Sequence, residues 1–419
     1  MNSRERLQAA LDHRQPDRAP VDFGATFVTG IHVSALTRLR RRLLGEPDYR
    51  VRVIEPYQML GEVDDQLREA LGIDVIGALG RKSIFGTEAK DWRPFRLFDG
   101  TECLVSGDFN ATPAPEGGWY MYPEGDTSVP PSGYMPPEGY FFNAIIRQKA
   151  IDDARLDPAD NTEEFDLFTE SDLDYYREKI AWFDQRPEAG TILIIPGTAF
   201  GDIALVPAPW MKHPKGIRDI SEWYISTRAR RDYVWKVFER QCEVALKNLE
   251  TLIDLFGDRI QVALVTGTDF GTQRGPFIAP RAYRDLYQPF HRQVNDFIHR
   301  HSRWKTFIHS CGSVYQLIPD FIAAGFDILN PVQCSAVDMD AQRLKHEFGR
   351  DLVFWGGGVD TQKTLAFGTP NDVYREVRER LEVFNRDGGF VFNAVHNIQG
   401  NTPVENIEAL FRALRDSVS

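Results

Sequence analysis

The sequence predicts a (β/α)8 barrel, and three observations carry that prediction. Eight short apolar runs recur along the 419 residues, stretches of helical spacing separate most of them, and one turn-rich region interrupts the alternation. Strands that alternate with helices imply right-handed parallel crossovers, and eight such units close into a barrel.

The chain opens with helical spacing from Ser3 to His13, with Ser3 as the expected cap, and the turn Arg14-Gln15-Pro16-Asp17 ends it. The first apolar run is Ala19 to Gly24. The others are Asp74 to Leu79, Ile192 to Pro196, Ile260 to Thr266, Trp304 to His309, Asp327 to Pro331, Leu352 to Gly356 and Gly389 to Ala394. Between them, helical spacing fills Glu222 to Gly257, Pro280 to Arg300, Val314 to Ala324, Met339 to Phe348 and Asn371 to Asn385.

The interruption spans residues 82–165 and reads as an insertion after the second strand, within one barrel domain covering residues 1–419. Asp99-Gly100 lies between Phe95 to Phe98 and Thr101 to Val105, which is a hairpin signal. A Pro-, Gly- and Tyr-rich stretch, Pro113 to Tyr140, reads as a long loop. In a barrel such an insertion stands over the mouth formed by the C-terminal ends of the strands. Two readings of Trp119, Tyr120, Tyr122 and Tyr134 are open: they stack on a flat ligand, or they glue the loop to the barrel.

A net charge of -12 argues against nucleic acid or an anionic membrane as partner, since both select clustered Lys and Arg. The basic run Arg38 to Arg42 reads as a solvated helix face. The sequence has no apolar stretch of about 18 residues and no charged-then-apolar leader, so a cytoplasmic protein is expected. Four cysteines, Cys103, Cys242, Cys311 and Cys334, without a secretory leader argue against a disulfide framework. Each is then core filler, metal ligand or nucleophile.

Polar residues at the ends of barrel strands share one mouth. They are Asp22 after the first strand, Thr198 (with Phe200) after the third, Asp269 after the fourth, and His309 with Cys311 after the fifth. Asn330 belongs to the sixth, Asp360 follows the Gly356-Gly357-Gly358 turn of the seventh, and His396 with Asn397 follows the eighth. His309 and Cys311 fall on one side of an extended chain, because side chains repeat every two residues. A soft thiolate beside an imidazole suits zinc better than magnesium or calcium. The pair alone does not make a site, and both Cys334 and His396 are open as the third ligand.

Four segments resemble the uroporphyrinogen decarboxylase superfamily, and more closely its cobamide-dependent methyltransferase branch. They are Arg4 to Val21 ("RERLQAALDHRQPDRAPV"), Thr268 to Pro280 ("TDFGTQRGPFIAP"), Ile308 to Ser313 ("IHSCGS") and Thr402 to Leu410 ("TPVENIEAL"). The resemblance implies a (β/α)8 barrel. Decarboxylases of the superfamily carry an arginine-rich "MRQAGRY" signature that holds tetrapyrrole carboxylates. The corresponding place here, Asp22 to His32, has no arginine. The methyltransferase branch holds zinc with His-x-Cys and a later cysteine in Cys-x-Ile-Pro-Pro-x-Thr-Pro. Aligned on Thr402-Pro403, that cysteine falls on His396.

The resemblance therefore implies a zinc site of His309, Cys311 and His396, in an enzyme that moves a methyl group between a small methylated compound, for example an aryl methyl ether, and a partner corrinoid protein. Asp269 is expected as a general acid or as the group that orients a zinc ligand, and Asn330 as a hydrogen-bonding residue for the substrate. Two other readings stand beside it. One is a uroporphyrinogen decarboxylase-like decarboxylase drawing cations from Arg18, Arg274 and Arg281, and the other is a non-catalytic relative that binds a corrinoid or small ligand.

Overall fold

The computed structural model describes residues 1–418. Seven parallel strands follow one another in chain order: Val75–Ala78, Gly190–Ile194, Val262–Thr266, Lys305–His309, Ile328–Asn330, Val353–Trp355 and Phe390–Val391. The eighth staves the gap between the two ends as a single bridge. Val21 pairs parallel with Phe392, Asp22 N–H donates to Phe392 O at 3.0 Å, and Asp74 N–H donates to Val21 O at 2.8 Å. The barrel is thereby closed, as the eight apolar runs require.

Its interior follows from the two-residue repeat of a strand. Val75, Ile192, Val262, Leu264, Phe307, Ile328, Val353, Trp355 and Val391 pack inward with Leu7, Ala10 and Leu11 of the first helix, Ser3–Leu11. Alternate residues such as Ala263, Val265 and Ile308 pack outward with the surrounding helices. The first helix thus contributes apolar residues to the barrel core itself. Its cap is Asn2, whose side chain accepts from Glu5 N–H in a reciprocal box, and not Ser3, which donates instead to Asp74 at 2.8 Å.

Several helices break where the periodicity reads through. Glu222 to Gly257 is two helices, Ile220–Ala229 and Arg231–Phe256, kinked at Arg230. Pro280 to Arg300 is Pro280–Leu286 and Gln288–His301, and Pro289 lacks the N–H that would continue the ladder. The basic run lies on Val33–Leu44, but Arg40 is 2% exposed and bound to Glu46, Asp64 and Gln66. That face is therefore half interior, because a network supplied from distant residues neutralises the guanidinium.

Between the first and second barrel strands lies a small hairpin, Val53–Glu55 with Leu60–Gly61. After the second, Arg93–Arg96 pairs antiparallel with Glu102–Val105 around Asp99-Gly100. The Pro- and Tyr-rich stretch is not a bare loop: Thr112–Pro113, Trp119–Met121, Gly133–Met135 and Asn143–Ala144 form a four-stranded antiparallel sheet. Trp119 packs on Phe95, Tyr120 on Tyr134, and Tyr122 shares a 2.8 Å hydrogen bond with Thr112, so these aromatics hold the insertion together. Among the described residues, no helix is long and apolar enough to cross a membrane.

Candidate metal centre

His309 ends the fifth barrel strand directly opposite Asn330 on the sixth. Their side chains meet, with 2.5 Å between His309 Nδ1 and Asn330 Oδ1, while Asn330 Nδ2 donates to Trp355 O at 2.7 Å. Because the amide nitrogen serves that carbonyl, the amide oxygen must accept from Nδ1–H. The lone pair of the imidazole is thereby left on Nε2. Nε2 lies 3.3 Å from Cys311 Sγ and 3.7 Å from Asp269 Oδ1.

His396 arrives from beyond the eighth strand, its ring centroid 5.3 Å from that of His309. Ligand atoms of His309, Cys311 and His396 all lie within 4.8 Å of one another. His396 holds φ at 87°, a left-handed conformation that costs a residue with a Cβ and that clusters at functional sites. Tetrahedral zinc, with N at about 2.0–2.1 Å and S at about 2.3 Å, needs donors roughly 3.3–3.6 Å apart. The His309 to Cys311 separation meets that requirement, and the soft donor set suits zinc.

Burial sets the charge of the donors. It pushes His309 and His396 down to about 4, so both imidazoles are neutral at pH 7 with lone pairs available. Burial, followed by the nearby Asp269 and Asp202 carboxyls, raises the Cys311 thiol well above its usual value. Without a cation the thiol keeps its proton, whereas a divalent ion reverses that preference.

Two loops hold Cys311 in place. Its backbone N–H donates to Asp269 Oδ1 at 2.6 Å, and Phe270 N–H donates to Ser310 Oγ at 2.9 Å. Gly312, at φ 83°, and Gly271 pass so closely that a Cβ on Gly312 would meet Gly271 backbone at 2.5 Å. The glycines of "IHSCGS" and "TDFG" therefore let the two strand-end loops touch. Tyr224 O–H donates to Asp269 O at 3.0 Å from the helix Ile220–Ala229. Burial raises the Asp269 carboxyl above its usual range.

The other strand-end residues serve the framework. Thr198 hydroxyl donates to Ile195 O and Val265 O, and Phe200 packs on Phe238, Phe290 and His291. Asp22, pushed up to about 7 by burial, accepts from Trp355 Nε1 and Ala25 N–H. Asp360 closes a turn on Gln362 and Lys363, and Asn397 ties Gly30, Phe27 and Gln58 together. The thiol of Cys334 sits among the charges of Arg380, Glu376, Asp340 and Asp360, outside the three-residue cluster. Of the arginines considered for a cationic pocket, Arg18 binds Asp74 at the opposite end of the barrel, whereas Arg274 and Arg281 are exposed.

Beside the cluster lies a cavity of about 1410 Å³ whose wall includes Phe27, Glu55, Tyr57, Asp202 and Gly267. The first part of the insertion, residues 82–84 and 86–90, forms another part of its wall. The three clustered side chains do not line it, but its Asp202 is near enough for its charge to act on the Cys311 thiol. Asp202 is a site residue that the strand-end inventory missed, although it stands only two positions past Phe200.

No curated protein matches the chain. Among solved structures, a methyltransferase from Methanosarcina mazei is similar over 100% of both chains, with a TM-score of 0.54 at 15% sequence identity, which is a likeness of fold. A GH10 endoxylanase retrieved from a sugarcane soil metagenome reaches a TM-score of only 0.33 at 10% identity, over 58% of this chain and 92% of that one. The sequence model described as Uroporphyrinogen decarboxylase (URO-D) matches residues 203–417, just over half of the chain. That segment carries Asp269, His309, Cys311, Asn330 and His396, and the chain belongs to the uroporphyrinogen decarboxylase family.

Proposed function

We propose that the protein is a zinc-dependent methyltransferase of the cobamide-linked type. It moves a methyl group between a small methylated compound, such as an aryl methyl ether, and the cobalt of a partner corrinoid protein in the cytoplasm. The observation that carries the reading is the convergence of His309, Cys311 and His396 at the mouth of the barrel. The motif resemblance of Thr268 to Pro280 and Ile308 to Ser313 supports it, and the methyltransferase from Methanosarcina mazei shares the fold.

Zinc bound there supplies Lewis acidity to the oxygen or sulfur that bears or receives the methyl group. His309 Nε2, His396 and Cys311 are its protein ligands, with one thiolate and two neutral imidazoles. Asn330 fixes the His309 tautomer and ring orientation, and Asp269 holds the Cys311 backbone. Asp269, whose Oδ1 lies 3.7 Å from His309 Nε2, is the group placed to exchange a proton at the reacting oxygen.

A decarboxylase of tetrapyrrole acids needs several cations facing one pocket. Arg18 is committed to Asp74, and residues 22–32 contribute none.

The test is methyl transfer to a cobalt(I) corrinoid protein, followed by the cobalt absorption change. The wild type should turn over only when loaded with zinc, and Cys311→Ser or His396→Ala should reduce the rate at least 100-fold. Turnover of uroporphyrinogen to coproporphyrinogen by zinc-free protein would replace this reading with the decarboxylase.

A further inference from the structure

Charge in the wall of the 1410 Å³ cavity is unevenly compensated. Arg81 pairs with Glu88 and Asp172, Arg186 with Asp65, Arg218 with Glu164, and Lys82 with Glu124. Among the described residues, Asp202 and Glu55 in the same wall form no ion pair, and unlike the exposed Asp166 and Glu178 they are shielded from solvent. Glu55 receives only the N–H groups of Tyr57 and Gln58, at 2.9 and 2.8 Å. Asp202 is 6% exposed, Oδ1 receives Ala204 N–H at 2.9 Å, and Oδ2 receives no hydrogen bond. Buried carboxyls are costly unless something neutralises them. Burial pushes both up to about 7, so each is part-charged at neutral pH and a bound cation would complete the ionisation.

Asp202 has an aromatic neighbour in the same wall, Phe27. A Cβ built on Gly267 would lie 3.1 Å from Asp202 Oδ2 and 3.5 Å from Phe27 Cε2, so the carboxylate and the ring converge on that glycine. Asp202 Oδ2 and the Phe27 ring therefore stand side by side in the cavity wall. Burial chiefly raises the Tyr57 hydroxyl, and the nearby charges of Glu55 and Asp202 add to that rise. Carboxylate with aromatic carbon is the chemistry that holds alkylated ammonium ions, through charge and through the ring quadrupole.

We propose that Asp202, Glu55, Phe27 and Tyr57 form a subsite for a small organic cation bearing a methylated ammonium group. The inference deepens the methyltransferase reading by naming a charged substrate class. It rests on that reading for the chemistry that follows binding, but not for binding itself.

The test is calorimetric titration of the full-length protein at pH 8 with choline and with its neutral isostere, 3,3-dimethylbutan-1-ol. Choline should bind, the alcohol at least tenfold more weakly. Asp202→Asn should weaken choline at least tenfold. Gly267→Ala should do the same, because its methyl would press on Asp202 Oδ2 at 3.1 Å, while the backbone there is not left-handed. Cys311→Ser, which removes a metal ligand, should leave choline affinity unchanged, so loss of the metal reading and loss of this one give different results. Absence of choline binding to the wild type, equal binding of the alcohol, or unchanged affinity in both Asp202→Asn and Gly267→Ala would each overturn the subsite.

Discussion

Two buried acids at opposite ends of the barrel have opposite surroundings. Asp74, fully buried at the head of the second strand, receives Arg6, Arg18, the Ser3 hydroxyl and the Val21 N–H. Asp202, past the end of the third strand, receives one backbone N–H and no cation. The lesson is a division of labour: the N-terminal face is stitched shut for stability, while the mouth leaves polar groups unmatched for a ligand to complete. It also explains the family-like opening of the chain, since Arg6 and Arg18 of that motif are the two cationic partners of Asp74.

The comparison breaks most visibly through stability. Asp74→Ala takes from Arg18 its carboxylate partner, leaves Arg6 with Asp17 alone, and should cost about 3–5 kcal/mol, read as a lower urea midpoint. Asp202→Asn should change stability by less than about 1 kcal/mol, because no ion pair is lost. Similar losses at both positions would erase the distinction between the two faces.

A smaller effect sharpens the account of the mouth. Asn330→Ala removes the acceptor that holds His309 Nδ1–H, and zinc affinity should fall about 10–100-fold, as competition with a chromophoric chelator would show. The smallest effect is in protons. With His309 and His396 at about 4, both are neutral above pH 5, so zinc displaces only the Cys311 proton. Release of about one proton per zinc at pH 7 should appear in calorimetry across buffers of different ionisation enthalpy. Affinity should fall about tenfold for each pH unit lost between 8 and 6, and more steeply only near pH 4.

The eight barrel strands were legible because strands buried on both faces read as continuous apolar runs. His309 and Cys311 were legible as a pair because a strand places alternate residues on one side, and His396 through its place before Thr402-Pro403. The orienting role of Asn330 was not, since it depends on a strand pairing and on Trp355 O. Nor was the meaning of Asp202, which lies in the absence of a cation, a property of the folded surroundings. Arg40 reads as solvated in sequence and is interior because Asp64 and Gln66 reach it. The insertion's strands of two or three residues are too short to show alternation.

The central claim is that His309, Cys311 and His396 hold one zinc ion, and equilibrium zinc binding to purified protein tests it most directly. The wild type and the Cys334→Ser control should each bind a single zinc per chain. His309→Ala, Cys311→Ser and His396→Ala should each lose at least 100-fold in affinity while keeping a cooperative melt. Equal zinc binding by wild type and all three variants, or no zinc binding by the wild type, would contradict the account.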